Sequence, residues 1–287
     1  MESIVLESDR ADERWSPQPP GPLTAADIQC FMDRGWCALR GAFDAPLAAA
    51  ARAVVWRRMH EKAGIREDDP STWPAAYDIE ERPDAPEVLA CFPDGLVAAI
   101  DQLVGRGAWF GERRWGFWPV NFHEGRDQAG EFPRHGWHVD GNWFRHQVDS
   151  PRQGLLVMGL FSDVPAGSGG TIVAEGSHRR AVQVLAAHPQ GLTHLELFEQ
   201  VLADPIGGFR ELMGRAGDVA LCHPLLFHTR GFKRHGGPRF QSNVETPLRQ
   251  ALVLDGDPAR RSILELSTHA AMVAPPVRFE DGVMCRF

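Results

Sequence analysis

His138 and Asp140 stand two residues apart in the segment GWHVDG. In an extended strand, positions i and i+2 point to the same side, so an imidazole and a carboxylate at this spacing can meet on one cation. His194-Leu195-Glu196 has the same letters without the same meaning. It lies in a helical pattern, where residues two apart diverge by roughly 200° at 3.6 residues per turn.

Two further residues belong with the first pair. His228 falls near the end of the short apolar run PLLFHTRG, and Arg239 opens the next run, RFQSNVET. The turn-rich link TRGFKRHGGP predicts that the second run folds back beside the first. Two histidines and one carboxylate on neighbouring strands make the facial triad of non-haem Fe(II) oxygenases, which leaves coordination positions open for a 2-oxo acid and dioxygen. Arg239 then has the fork geometry to hold the far carboxylate of 2-oxoglutarate. The same three ligands with a bound water suit a zinc hydrolase on a cupin-like barrel. A catalytically silent module that binds a small acid is the third class.

The elements that must position these side chains fall into two groups. Thr24 and Asp27 frame a capping pattern before a helix that Gly35 ends, and WCALRGAF reads as a strand. Helices are expected from about Pro46 to His60 and from about Pro86 to Val104. From Trp115 onward the pattern turns to short strands broken by Gly and Pro: RWGFWPVNFH (114–123), GWHVDG (136–141), GLLVMGLFSDV (154–164), GGTIVAEG (169–176), GDVALCH (217–223), PLLFHTRG (224–231) and RFQSNVET (239–246). A helix is expected in THLELFEQVLAD (193–204). Helices first and strands afterwards predict an α+β chain with a jelly-roll core wrapped by N-terminal helices. Residues 1–22, which include SPQPPGP, read as a loose tail, and residues 23–287 as one domain.

Composition removes several classes of function. The 287 residues carry a net charge of −8, which argues against phosphate-backbone binding and hence against nucleic acid as partner. Lys62 and Lys233 are the only lysines among 30 basic residues, so no cluster stands out to hold a CoA phosphate. No apolar run is long enough to span a membrane, and MESIVLESDRADER lacks a signal core. The five cysteines are scattered without a CxxC pair, which excludes the common structural zinc frameworks and fits a reducing cytoplasm.

The run GDVALCHPLLFHTRGFKRHGGPRF resembles the distal-histidine segment of the phytanoyl-CoA dioxygenase (PhyH)-like family, including the HPLL(F/I)H core and an arginine eleven residues after the last histidine of that core. GSGGTIVAEGSHRR resembles that family's GG(T/C) strand, and LTAADIQCFMDRGWCALRGAF its N-terminal helix and strand. The resemblance spans roughly residues 23–245. It implies a double-stranded β-helix, Fe(II) bound by His138, Asp140 and His228, and 2-oxoglutarate anchored by Arg239. The reaction implied is oxidation, most often hydroxylation, of a C–H bond in a small molecule, with O2 consumed and 2-oxoglutarate converted to succinate and CO2. Several members carry a small hydroxyl residue two places after the distal histidine, where this chain has Arg230. Asn121 and Thr171 are further candidates for holding the cosubstrate, and Trp143 and Arg145 for meeting the substrate.

Overall fold

The computed structural model describes residues 16–287. Most of the expected tail lies outside the described residues. Residues 16–22 are not loose: Ser16 and Arg106 exchange backbone hydrogen bonds at 3.3 and 2.8 Å, and Gln18 Nε2 donates to Arg261 O at 2.9 Å.

Thr24 starts helix α1 (Ala25–Arg34) with a reciprocal box. Its hydroxyl accepts the Asp27 N–H at 3.2 Å, and the Asp27 carboxylate accepts the Thr24 N–H at 2.9 Å. Gly35 closes the helix at φ +85°, a left-handed conformation that costs glycine nothing, and strand β1 (Trp36–Leu39) comes next. The alanine-rich run forms α2 (Ala45–Ala63), capped by Asp44, and then comes β2 (Ala76–Ile79). The helix expected from Pro86 to Val104 is two helices, α3 (Pro86–Leu89) and α4 (Asp94–Val104). Pro93 breaks it, since it has no N–H to donate and disfavours helical backbone at Phe92.

The strands are β3 (Trp118–Asn121), β4 (Leu156–Leu160), β5 (Thr171–Ala174), β6 (Phe209–Glu211), β7 (Val219–Cys222), β8 (His228–Arg230) and β9 (Gln241–Glu245). All their pairings are antiparallel. One sheet has the order β1-β7-β4-β9, and bridges from Phe117 to Asn243 and from Asn121 to Arg239 attach β3, which itself pairs with β2. The other has the order β6-β5-β8.

Alternation along the strands sorts residues into layers. Leu156 and Met158 of β4, Ala220 and Cys222 of β7, and Val173 of β5 form one cluster, so the two sheets face each other across it. Val157, Val219 and Leu221 point the opposite way, into a core with Phe31, Val55, Leu96 and Leu103 from the N-terminal helices. The outer face of the smaller sheet, with Ile172 and Ala174, packs on α5 (Ser177–Ala186) and α6 (His194–Leu202). Helix α7 (Ile263–Val273) reaches both outer cores, through Ile263 and Leu264 on one side and Ala271 on the other. Helices therefore cover both sheets, and the expectation of N-terminal wrapping alone is corrected. Among the described residues no helix is long and apolar enough to cross a membrane.

Two strand expectations also change. GWHVDG makes a single bridge, His138 to His228, because Gly136 and Gly141 bracket it at φ +74° and +105°. β8 and β9 are not neighbours: the link between them passes from the smaller sheet to the larger. Its polar groups are taken by other loops, with Lys233 N donating to Glu124 O and Arg234 N to Gly167 O, both at 2.8 Å. The Arg234 guanidinium donates to carbonyls of Gly125, Arg126, Gln128 and Gly130. A hairpin would leave these partners unmet.

Candidate metal centre and substrate cavity

His138, Asp140 and His228 converge: one ligand atom from each lies within 4.8 Å of the others. Asp140 Oδ1 is 3.5 Å from His138 Nε2 and 3.6 Å from His228 Nε2. Each histidine is oriented by the backbone two residues before it. His138 Nδ1 meets Gly136 O at 2.7 Å, and His228 Nδ1 meets Leu226 O at 3.1 Å. A carbonyl can only accept, so each Nδ1 carries the proton, and the bare Nε2 lone pairs point at the shared centre.

The electrostatics keep Asp140 charged. Burial pushes its pKa up, but the two imidazoles beside it outweigh burial and hold it well below the usual carboxylate range. His138 is the mirror case: burial pushes it down, and the Asp140 carboxylate beside it leaves it raised. Two imidazole nitrogens and an ionised carboxylate, with no thiolate, fit a non-haem Fe(II) donor set.

Arg239 is 1 % exposed and lies between the sheets. Nε donates to Gly169 O at 2.8 Å and Nη1 to Pro119 O at 2.7 Å, which fixes the guanidinium plane and leaves Nη2 without a hydrogen bond to any described residue. Gly169 must be glycine here: its φ is +83°, and a Cβ would sit 2.9 Å from Asn121 Nδ2. Burial pushes Arg239 down to about 9, with the Arg230 charge adding to the effect, so it is still a cation at neutral pH. Arg230 lies two positions after His228 on the same face of β8. It bonds Asp78 at 2.5 Å and Glu124 at 2.9 Å.

The other expected residues separate. Asn121 is fully buried, and its amide is spent on backbone, donating to Gly231 O at 3.2 Å and accepting Glu124 N–H at 3.0 Å. Thr171 hydrogen-bonds Gln241 between the sheets. Trp143 lines a cavity of about 540 Å³ that opens beside His138 and Asp140. Arg145 is absent from that lining and turns to helix α6, donating to Gly191 O at 2.7 Å and lying 3.7 Å from Glu196.

Sequence reasoning missed Asn243 and Glu245, which line the cavity. The signal was present: in RFQSNVET, period-2 alternation from Arg239 puts Gln241, Asn243 and Glu245 on the same face.

No protein-family profile matches the sequence, and no curated protein matches it. Solved structures do. SnoK, a non-heme alpha-ketoglutarate-dependent carbocyclase from nogalamycin biosynthesis, superposes with a TM-score of 0.54 at 16% identity, over 80% of this chain and 86% of SnoK. HygX from Streptomyces hygroscopicus, with nickel and 2-oxoglutarate bound, gives 0.52 at 16% identity, over 79% of this chain and 87% of HygX. At this identity the likeness establishes the fold: the chain has the α+β architecture, with antiparallel sheets, of these oxygenases.

Proposed function

We propose that this protein is an Fe(II)- and 2-oxoglutarate-dependent oxygenase acting on a small molecule, with its two facing sheets forming a double-stranded β-helix in one catalytic domain. The observation that carries the reading is the convergence of His138 Nε2, Asp140 Oδ1 and His228 Nε2 at the edge of a cavity, with both Nδ1 atoms tied to backbone carbonyls. His138, Asp140 and His228 hold the metal, and Arg239 holds the distal carboxylate of 2-oxoglutarate through Nη2. Iron and 2-oxoglutarate together supply the oxidation, in which O2 and the 2-oxo acid yield succinate, CO2 and an oxygenated substrate.

The chain's own work is placement. Gly136 O and Leu226 O fix the tautomer and plane of the two imidazoles. The apolar layer of Leu156, Met158, Val173, Ala220 and Cys222 keeps water from the space between the sheets. The cavity gives a substrate C–H bond room beside the triad. A zinc hydrolase has no use for a guanidinium buried between the sheets, and Arg239 favours the 2-oxo acid reading. The test is anaerobic addition of 2-oxoglutarate to Fe(II)-loaded protein. A weak visible charge-transfer band is expected, and its persistence in His138→Ala sinks the assignment.

A further inference from the structure

The cavity beside the triad has a lining that selects among small molecules, and calling the selected molecule a substrate rests on the oxygenase reading of the triad. Its mouth is aromatic: Phe117, Trp143 and Phe287 line it and are 36%, 65% and 60% exposed. Large aromatic faces left to water around one opening mark a ligand-binding rim, and their planar faces suit a flat ring.

The inner wall is polar in a specific way. Asn243 and Glu245 alternate on β9 and both line the cavity. The Asn243 Oδ1 accepts Gln241 Nε2 at 2.7 Å, so the Asn243 amide offers the cavity its N–H donors. Gln241 is itself held by Thr171 Oγ1 at 3.0 Å, which anchors this chain of bonds to the opposite sheet. Glu245 is partly buried and has no hydrogen bond or ion pair with any described residue. A partly buried carboxyl without a hydrogen bond, lining an open cavity, can take one from a ligand.

The charge pattern excludes one ligand class. Among the described residues Arg82 is the only arginine or lysine in the lining, is half-exposed, and lies 3.7 Å from Glu112, so the wall that carries Glu80 and Glu245 offers a phosphate or carboxylate no free cation.

We infer that the substrate is a molecule without phosphate or carboxylate groups, with a flat apolar ring face seated on Phe117, Trp143 and Phe287 and hydroxyl groups held by Asn243 and Glu245. The Glu245 carboxyl accepts from a hydroxyl and the Asn243 N–H donates to it, so the pair satisfies a hydroxyl in both senses.

The test is calorimetric titration of four naphthalene probes into the protein, iron-free and then anaerobically loaded with Fe(II) and 2-oxoglutarate. The probes are 2-naphthol, 2-methoxynaphthalene, 2-naphthoate and 2-(aminomethyl)naphthalene. 2-Naphthol should bind tightest. Glu245→Ala and Asn243→Ala should each weaken it by roughly three- to tenfold, the loss of one net hydrogen bond. Glu245→Ala should not weaken 2-methoxynaphthalene comparably, since that probe has no hydroxyl to donate. Glu245→Gln keeps an acceptor oxygen at the same position and should retain most of the naphthol affinity, and this variant also controls for folding. Tighter binding of the carboxylate or the ammonium probe, equal naphthol affinity in Glu245→Ala, or no probe binding overturns the inference. If naphthol binding depends on Glu245 while 2-oxoglutarate does not bind the iron-loaded protein, the oxygenase reading falls and the pocket assignment stands.

Discussion

His138 and His228 face each other across one antiparallel step, with His138 N donating to His228 O at 3.0 Å and His228 N to His138 O at 2.9 Å. Their rings lie with centroids 4.4 Å apart. This reciprocal pair sets the separation of the two imidazoles by backbone geometry alone, and Asp140, two residues on, reaches the same centre. His228→Ala should therefore lower Fe(II) affinity by at least about 100-fold, beyond the effect typical of losing a supporting partner. The backbone pair and the fold should survive. Chelator competition measures the affinity, and circular dichroism the fold; an affinity within threefold of wild type refutes the ligand role.

Arg239 and Arg230 make separable predictions. Arg239→Ala should weaken 2-oxoglutarate binding roughly 30- to several-thousand-fold, from about 2–5 kcal/mol for truncating a buried charged partner. Arg230→Met should weaken it by about tenfold, because Asp78 and Glu124 lose their cation and repel the anion. Converting these two to Asp78→Asn and Glu124→Gln in the Arg230→Met background should recover most of that loss. Calorimetry on anaerobic Fe(II)-loaded protein decides. A larger effect at Arg230 than at Arg239, without recovery, moves the anchor to Arg230.

Two buried histidines predict acid sensitivity. His178 and His223 lie with ring centroids 4.9 Å apart and are at most 1 % exposed. Burial pushes His178 down to about 3 and His223 well below its ordinary value. Below about pH 6.5 the unfolded chain takes up protons that the folded chain refuses, so stability falls as pH falls. From pH 7 to 5 His178 should cost about 2 kcal/mol, and His223 should add to the loss. Urea denaturation at the two pH values gives the total, and imidazole NMR shows whether His178 stays neutral at pH 5. A His178 signal that titrates near 6.5 defeats the prediction.

Gly35 couples this pair to the first helix. At φ +85°, an added Cβ would lie 2.5 Å from His178 Nδ1 and 2.9 Å from Leu226 Cδ1. Gly35→Ala should combine left-handed strain of about 1–2 kcal/mol with overpacking of about 1–3 kcal/mol. The urea midpoint should fall accordingly, and a loss under about 1 kcal/mol contradicts the geometry.

The residue types already contained much of the chemistry. A histidine and aspartate at i and i+2 share a side of any extended segment, so His138 and Asp140 were legible as a chelating pair before any fold was known. Thr24, Asp27 and Gly35 marked the first helix because caps act within one turn. Alternation likewise bound Arg239, Gln241, Asn243 and Glu245 to one face, whichever sheet received them. That sheet was a different matter. Hydrophobic period 2 reads the same in either sheet, so TRGFKRHGGP looked like a hairpin, and only the partners of Lys233 and Arg234 in distant loops carry the chain across to β9. The opposition of His138 and His228 is likewise a long-range pairing, ninety residues apart in sequence, that no local preference encodes. Tertiary packing also decided that Arg145 turns to α6, that Asn121 spends its amide on Gly231 and Glu124, and that Glu245 is left without a partner beside Asp140, since each outcome depends on which distant backbone arrives next to the side chain.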